Sequence, residues 1–375
     1  MVWIDLAAVA AGAWCALLFV PWQPWRIGER LETDSNASAR AVLDDVTVLM
    51  PARNEAAVIA RSLAGLACQG APLKVILIDD GSTDGTTEIA RRAGLLDLTV
   101  IQAPPLPPGW TGKLWALEQG RLAVTTPYVL LLDADIALAP GLVATLLEKA
   151  KRERLALVSL MAAPAMSGFW DRWWMPVFIY FFKLLYPFRL ANRPGAATAA
   201  AAGGCLLVTC DALEGIGGFD ALRGAVIDDC TLAALVKRRG MGATWIGLTH
   251  SAVMLRATDL AGFWRMVART AFTQLRYSYV LLAACAVVMG VVFVVPLAAI
   301  FASGMTARAL GLAAWVLMGL SYVPTARFYR QSPFAVAALP AAGVAFLFMT
   351  FTSALWYARG LQSRWKGRDY RRGPA

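Results

Sequence analysis

The chain has 375 residues, 58% of them hydrophobic, and its 35 Lys and Arg against 25 Asp and Glu give a formal net charge of +10. A mean hydropathy of +0.56 excludes an ordinary soluble enzyme and calls for membrane spans. The positive excess suits an anionic partner, either a nucleotide diphosphate or acidic lipid headgroups, although positive-inside bias beside spans accounts for most of it; nothing in the chain asks for nucleic acid.

The six cysteines (15, 68, 205, 210, 230 and 285) form no Cys-x-x-Cys pair, which argues against zinc and against a disulfide framework. His250 is the only histidine, so Ser-His-Asp or Cys-His catalysis would depend on that one residue and is set aside.

Residues 1–20 are apolar and long enough to span a bilayer. They lack the basic start of a secretory signal, their first charge is Asp5, and Arg26 and Arg30 follow them. The pattern predicts an uncleaved anchor over 1–22, with its N-terminus outside and residue 30 onward in the cytoplasm.

From about residue 44 the composition turns to that of an α/β domain. VTVLM (46–50), KVILIDD (74–80), LTVIQA (98–103) and YVLLLDAD (128–135) read as strands, and Ala56–Gln69, Thr86–Ala93 and Lys113–Val124 read as helices between them. Such alternation predicts a mostly parallel sheet sandwiched by helices, with ligands bound beyond the carboxyl ends of the strands. Each acidic motif falls at such an end. PARNE (51–55) offers Glu55 and free helix N–H groups to the edge of a base or ribose, or is simple capping. In DDGSTDGT, Asp79 can accept from a ring N–H such as that of uracil, and Asp79 and Asp80 on a buried strand end need partners; turn chemistry explains much of the rest. Lys113, behind Gly109 and Gly112 at a helix start, suits a diphosphate or is a solvated lysine. Asp133 and Asp135, one residue apart after VLLL, suit Mg²⁺ or Mn²⁺, although an Asp-x-Asp alone is more often a solvated turn.

Residues 169–190 are dense in aromatic rings and carry Asp171, Arg172, Lys183 and Arg189, which predicts an amphipathic helix at a membrane interface; a buried helix is the alternative. GGCLLVTCDALEGIGGFD (203–220) reads as mostly architectural. Asp228 and Asp229 precede a helix, where acids often serve only the helix dipole. A sugar hydroxyl, however, needs a positioned base, and adjacent acids raise each other's pKa. Gln274, Arg276 and Tyr277 could close over a diphosphate or an acceptor, or belong to a basic-aromatic interfacial belt.

Apolar segments at about 279–302, 309–325 and 334–357 precede a basic tail over 358–375, with Arg359, Arg364, Lys366, Arg368, Arg371 and Arg372. Three full crossings would put that tail on the side opposite a cytoplasmic domain, against the positive-inside tendency; a re-entrant or interfacial segment would remove the conflict.

Taken in order, PARNE, DDGSTDGT, GK-x-x-AL, DAD, GG-x-L-x-x-x-x-AL-x-x-x-GGF, DD-x-x-L and the Gln/Arg/Tyr cluster resemble a family 2 glycosyltransferase of the GT-A fold, over about 46–277. PLPPGWTGKLWAL, AAAAGGCLL, IDDC-x-LA and MVARTAFTQLRYS further resemble the hopanoid-biosynthesis-associated ("hopene-associated") members. The resemblance implies a domain over 44–277 and a multi-pass protein of the inner (cytoplasmic) membrane with C-terminal spans in 279–357. It implies inverting transfer of a sugar from a nucleotide-sugar, a UDP-sugar, to a membrane lipid. Pro51, Ala52, Glu55, Asp79, Asp80, Lys113 and Asp133 would contact the donor, Asp133 and Asp135 the metal. Asp229 would be the base, with Asp228 where the family usually has Glu. Thr273-Gln274-Leu275-Arg276-Tyr277 departs from the Gln/Arg-x-x-Arg-Trp motif associated with processive synthesis. Rival readings are a polyprenyl-phosphate or ceramide-type sugar transferase, a polysaccharide synthase, and a scaffold or transporter whose α/β domain only senses nucleotide.

Overall fold

The computed structural model describes residues 1–33, 42–70, 72–95, 97–361, 363–365 and 368–370. It divides into two units: Glu29–Ala165 with Phe188–Ala257, and Met1–Gly28 with Met166–Pro187 and Thr258–Ala375.

The first unit is built on one eight-stranded sheet. Its strands are β1 (Val46–Ala52), β2 (Lys74–Asp79), β3 (Leu98–Gln102), β4 (Tyr128–Leu132), β5 (Ile136–Leu138), β6 (Leu155–Ala163), β7 (Cys205–Thr209) and β8 (Ala243–Met254), in the order β3-β2-β1-β4-β7-β6-β8-β5. β3, β2, β1 and β4 are parallel, as their alternation with helices predicts. β7 then runs antiparallel to β4 and β6, β6 pairs parallel with β8, and β5 closes the edge antiparallel to β8. Every residue of β1 is buried, because both faces of the sheet are covered. Val48 and Met50 join a core with Leu63 and Leu66 of the helix Ile59–Ala67, while Leu49 faces Leu114 and Leu117 of the helix Gly112–Arg121. Residues 56–58, expected within the first helix, form its approach instead, behind a Glu55 N–H that is taken by the Thr86 hydroxyl at 2.8 Å.

The second unit is helical. Four of its helices are long and apolar enough to cross a membrane: Val2–Phe19, Tyr279–Ile300, Met305–Phe328 and Leu339–Ala358. Residues 166–187 and 258–277, expected inside one continuous domain over 44–277, group with these helices. The physical reason is visible in the helix Phe169–Leu185: the Tyr180 hydroxyl bonds Ser321 at 2.6 Å, and Phe181 packs on Phe346 with ring centroids 4.5 Å apart. Between Gly290 and Val294 the span Tyr279–Ile300 widens into a π-turn, and the Trp14 indole donates to the Val292 carbonyl at 2.8 Å. The ring of Tyr277 stacks on Tyr357 at 4.5 Å and 18°. The start of the first C-terminal apolar segment therefore lies beside the end of the last. Lys366, Arg371 and Arg372 of the basic tail lie outside the described residues.

Candidate active site

The site starts from β4, whose apolar run Val129–Leu132 is buried and delivers Asp133 to the sheet edge. Asp133 and Asp135 are half-buried and alternate with buried Ala134 and Ile136, as the Asp-x-Asp spacing requires. On one side of β4 the helix Gly112–Arg121 is capped by Thr111, whose hydroxyl accepts from Leu114 N–H at 3.4 Å, and this places Lys113 in its first turn. The Lys113 ammonium reaches Asp133 Oδ1 at 2.7 Å. On the other side the helix Asp228–Arg238 opens with both of its acids at the positive end of its dipole.

Asp229 is held from two directions. Its Oδ2 accepts from Gly203 N–H at 2.8 Å and its Oδ1 from Cys230 N–H at 2.7 Å. A Cβ at 203 would lie 3.4 Å from Asp229 Oδ2 and 3.4 Å from Lys113 Nζ, so position 203 sits against both side chains. One cavity joins Lys113, Asp133, Gly203, Asp228 and Asp229, with Pro51, Leu114 and Phe219 among its walls. Burial raises the Asp229 carboxyl well above the ordinary carboxylate range, to about 6; the charge of Asp228 adds to this, while Lys113 and the two N–H donors oppose it. Burial alone would lower the Lys113 ammonium, but Asp133, Asp228 and Asp229 outweigh it and raise its pKa.

The remaining expected residues occupy the β1–β2 part of the same edge. Asp79 is buried and accepts from Ser82 N–H at 3.1 and 3.3 Å; it does not line the cavity. In the register of the sheet it stands opposite Ala52, so β1 alone separates β2 from β4, a lateral gap of about 10 Å. Asp80 faces Arg53 at 3.6 Å. Glu55, expected to meet a base or ribose, is buried against the guanidinium of Arg256, a partner 201 residues away that no sequence signal announced. Asp135 is not among the cavity residues either; its carbonyl accepts from Leu255 N–H at 2.7 Å.

Gln274, Arg276 and Tyr277 belong to the helical unit. Gln274 accepts from the Tyr186 hydroxyl at 2.8 Å, and Tyr277 accepts from Thr273 at 3.1 Å. His250 gives its backbone N–H to Glu32, which also receives the hydroxyls of Thr249 and Ser251, so its segment is tied down by a carboxylate.

The acid cavity suits a divalent cation in charge and donor type. Three carboxylates face one ammonium, and all the anionic donors are hard oxygens. No group of three acidic, His or Cys side chains is poised around a metal position among the described residues. Protein ligation through one or two carboxylates is what Mg²⁺-type sites use when substrate phosphates complete the shell.

Residues 47–217 match the family model Glycosyl transferase family 2. That stretch, a little under half of the chain, holds β1 to β4, Lys113, Asp133, Asp135 and Gly203. The chain is 37% identical over 92 residues to the 4,4'-diaponeurosporenoate glycosyltransferase of Staphylococcus aureus (strain USA300), which is 24% of this chain and 24% of that protein. It thus spans about a quarter of the length of the curated relatives it matches. Among solved structures it is similar to a mannosyltransferase from Pyrobaculum calidifontis in complex with GDP-Man and Mn²⁺, with 20% identity, a TM-score of 0.54 and coverage of 93% of this chain and 96% of that one. The likeness shows the fold: a GT-A-like α/β sheet surrounded by helices, with apolar helices at both ends of the chain.

Proposed function

We propose that the chain is a membrane-bound inverting glycosyltransferase that moves a sugar from a nucleotide-sugar to a lipid acceptor. One observation carries the reading: a half-buried carboxylate with a raised pKa, Asp229, shares a cavity with a lysine and a strand-end Asp inside or beside the stretch that matches the family 2 model. A carboxyl titrating at about 6 is largely ionised at neutral pH, yet basic enough to take a proton.

In this reading Asp229 accepts the proton of the acceptor hydroxyl as the new glycosidic bond forms. The N–H groups of Gly203 and Cys230 fix its two oxygens, so it meets the acceptor without reorienting. Lys113 holds positive charge beside the leaving diphosphate. Asp228 keeps Asp229 basic. Asp133 and Asp135 would hold a Mg²⁺ or Mn²⁺ ion, which supplies Lewis-acid neutralisation of the diphosphate. Asp79, with lone pairs beyond those that Ser82 uses, receives the ring N–H of the base, which favours a UDP-sugar. Pro51 and Ala52 line the backbone path between base and diphosphate.

The lipid acceptor is supported by four helices of spanning length and by a carotenoid-acid glycosyltransferase among the relatives. A hopanoid or similar amphiphile in the inner membrane fits the sequence resemblance. The test is incubation of radiolabelled UDP-sugars with membranes that contain the chain or its Asp229→Asn variant, followed by organic extraction. Label should enter the lipid phase only with the unaltered protein. Label in a water-soluble polymer, or equal lipid labelling by the variant, removes the reading.

A further inference from the structure

A second cavity lies entirely within the helical unit, between the helix Leu260–Gln274, the turn after it and the end of the helix Leu339–Ala358. Arg269, Thr273, Tyr277, Ser353, Trp356 and Tyr357 line it. The Arg269 Nε is buried and has no hydrogen-bond partner among the described residues. A buried guanidinium N–H without an acceptor is costly, so the cavity is short of an anionic or carbonyl oxygen. The polar atoms around it donate as well. Ser353 Oγ accepts from Phe272 N–H at 3.0 Å, which leaves its own proton to give, and the Thr273 hydroxyl bonds Tyr277 at 3.1 Å. Arg276 and Tyr277 both hold left-handed backbone, with φ of 51° and 59°, a conformation uncommon outside glycine and often kept at ligand sites.

The position of the cavity identifies the source of that oxygen. Tyr279 begins one helix of spanning length and Ala358 ends another, and the stacked rings of Tyr277 and Tyr357 put both ends at one level. A helix of 22 residues rises about 33 Å, so each runs from this level through the thickness of a hydrocarbon core. Arg276 and Arg359 stand where the two apolar stretches stop. Stacked tyrosines, a tryptophan and arginines at the ends of spans are the composition of a membrane–water boundary.

We propose that this cavity binds the anionic headgroup of a bilayer lipid, a phosphodiester seated on Arg269 and the hydroxyls of Ser353 and Tyr277. The site rests on the helices being membrane spans and does not depend on sugar transfer. Its occupant pins the turn after the helix Leu260–Gln274 at the boundary, through one charge-assisted contact and the aromatic wall.

The experiment is native mass spectrometry of the full chain released from bilayers that contain equal amounts of phosphatidylglycerol and phosphatidylcholine. The unaltered protein should retain phosphatidylglycerol in roughly tenfold preference. Arg269→Gln should retain the two lipids equally. Tyr277→Phe, which keeps the ring stack, should show an intermediate preference and guards against a misfolded first variant. UDP binding on the same samples reports separately on the donor site. Equal retention by the unaltered protein, or an unchanged preference in both variants, overturns the proposal. Displacement of the lipid by inorganic phosphate also overturns it, because the site would then belong to a free oxyanion.

Discussion

The sheet edge carries two groups of strand-end acids, and they differ in what satisfies them. At β1 and β2 the loops are sewn together: Asn54 N–H donates to Ser82 at 3.0 Å, Thr83 N–H to Asn54 at 2.9 Å, and Ala56 N–H to Asp84 at 3.0 Å. Asp84 is consequently lowered, with burial opposing and the bonds from Thr86 and Ala56 prevailing. At β4 the acids Asp133, Asp228 and Asp229 face each other across a single ammonium, and Asp229 is raised. Identical residue types thus build a rigid frame on one side and hold unspent charge on the other. The second condition is the one that chemistry uses.

The largest effect should come from the base. Asp229→Asn should lower kcat by about 10³-fold, within the range for a lost general base, while UDP affinity by calorimetry stays within about twofold; retained turnover would break the contrast at once. Next, Asp133→Ala should abolish the Mn²⁺-dependent part of UDP binding, and unchanged affinity would remove Asp133 from the metal. A pH profile comes third. Asp229 must be deprotonated to act, so kcat/KM should be maintained above its pKa of about 6 and fall about tenfold per pH unit below it. Asp228→Asn removes a negative neighbour, so the midpoint should move to lower pH; a shift upward contradicts the assignment. The smallest catalytic effect belongs to the sewn side: Asp84→Ala should cost about 1 kcal/mol of stability in chemical denaturation and leave kcat nearly unchanged.

β1 to β4 were legible because parallel strands covered on both faces read as unbroken apolar runs, each closed by a polar turn. β6 was not: Leu155–Ala163 follows the helix Leu142–Glu153 with no Gly or Pro between, and the break is made by Arg154 in left-handed backbone at φ 52°. β8 hid because Thr244, Thr249, His250 and Ser251 interrupt its apolar pattern. Within the site, motif order carries no distances, and the meeting of Lys113, Asp133 and Asp229 in one cavity is visible only in the folded chain. The cause of the raised Asp229 was only half legible, since the pair of acids is visible in the sequence and the larger contribution of burial is not. The pairing of Glu55 with Arg256 could not be read, because nothing local links residues that meet only when β8 is laid in place.

The indole of Trp14 on the Val292 carbonyl has a consequence for biogenesis. The contact joins positions 278 residues apart, so the two helices meet only after the segments between them have been made. The residue four places after Val292 is Pro296, which has no N–H, so the indole supplies a donor where the helix's ordinary one is missing. Docking of the helix Val2–Phe19 on the helical stretch Tyr279–Ile300 is therefore a late step of assembly, and a chain with a defective second partner would leave the Trp14 indole without its acceptor.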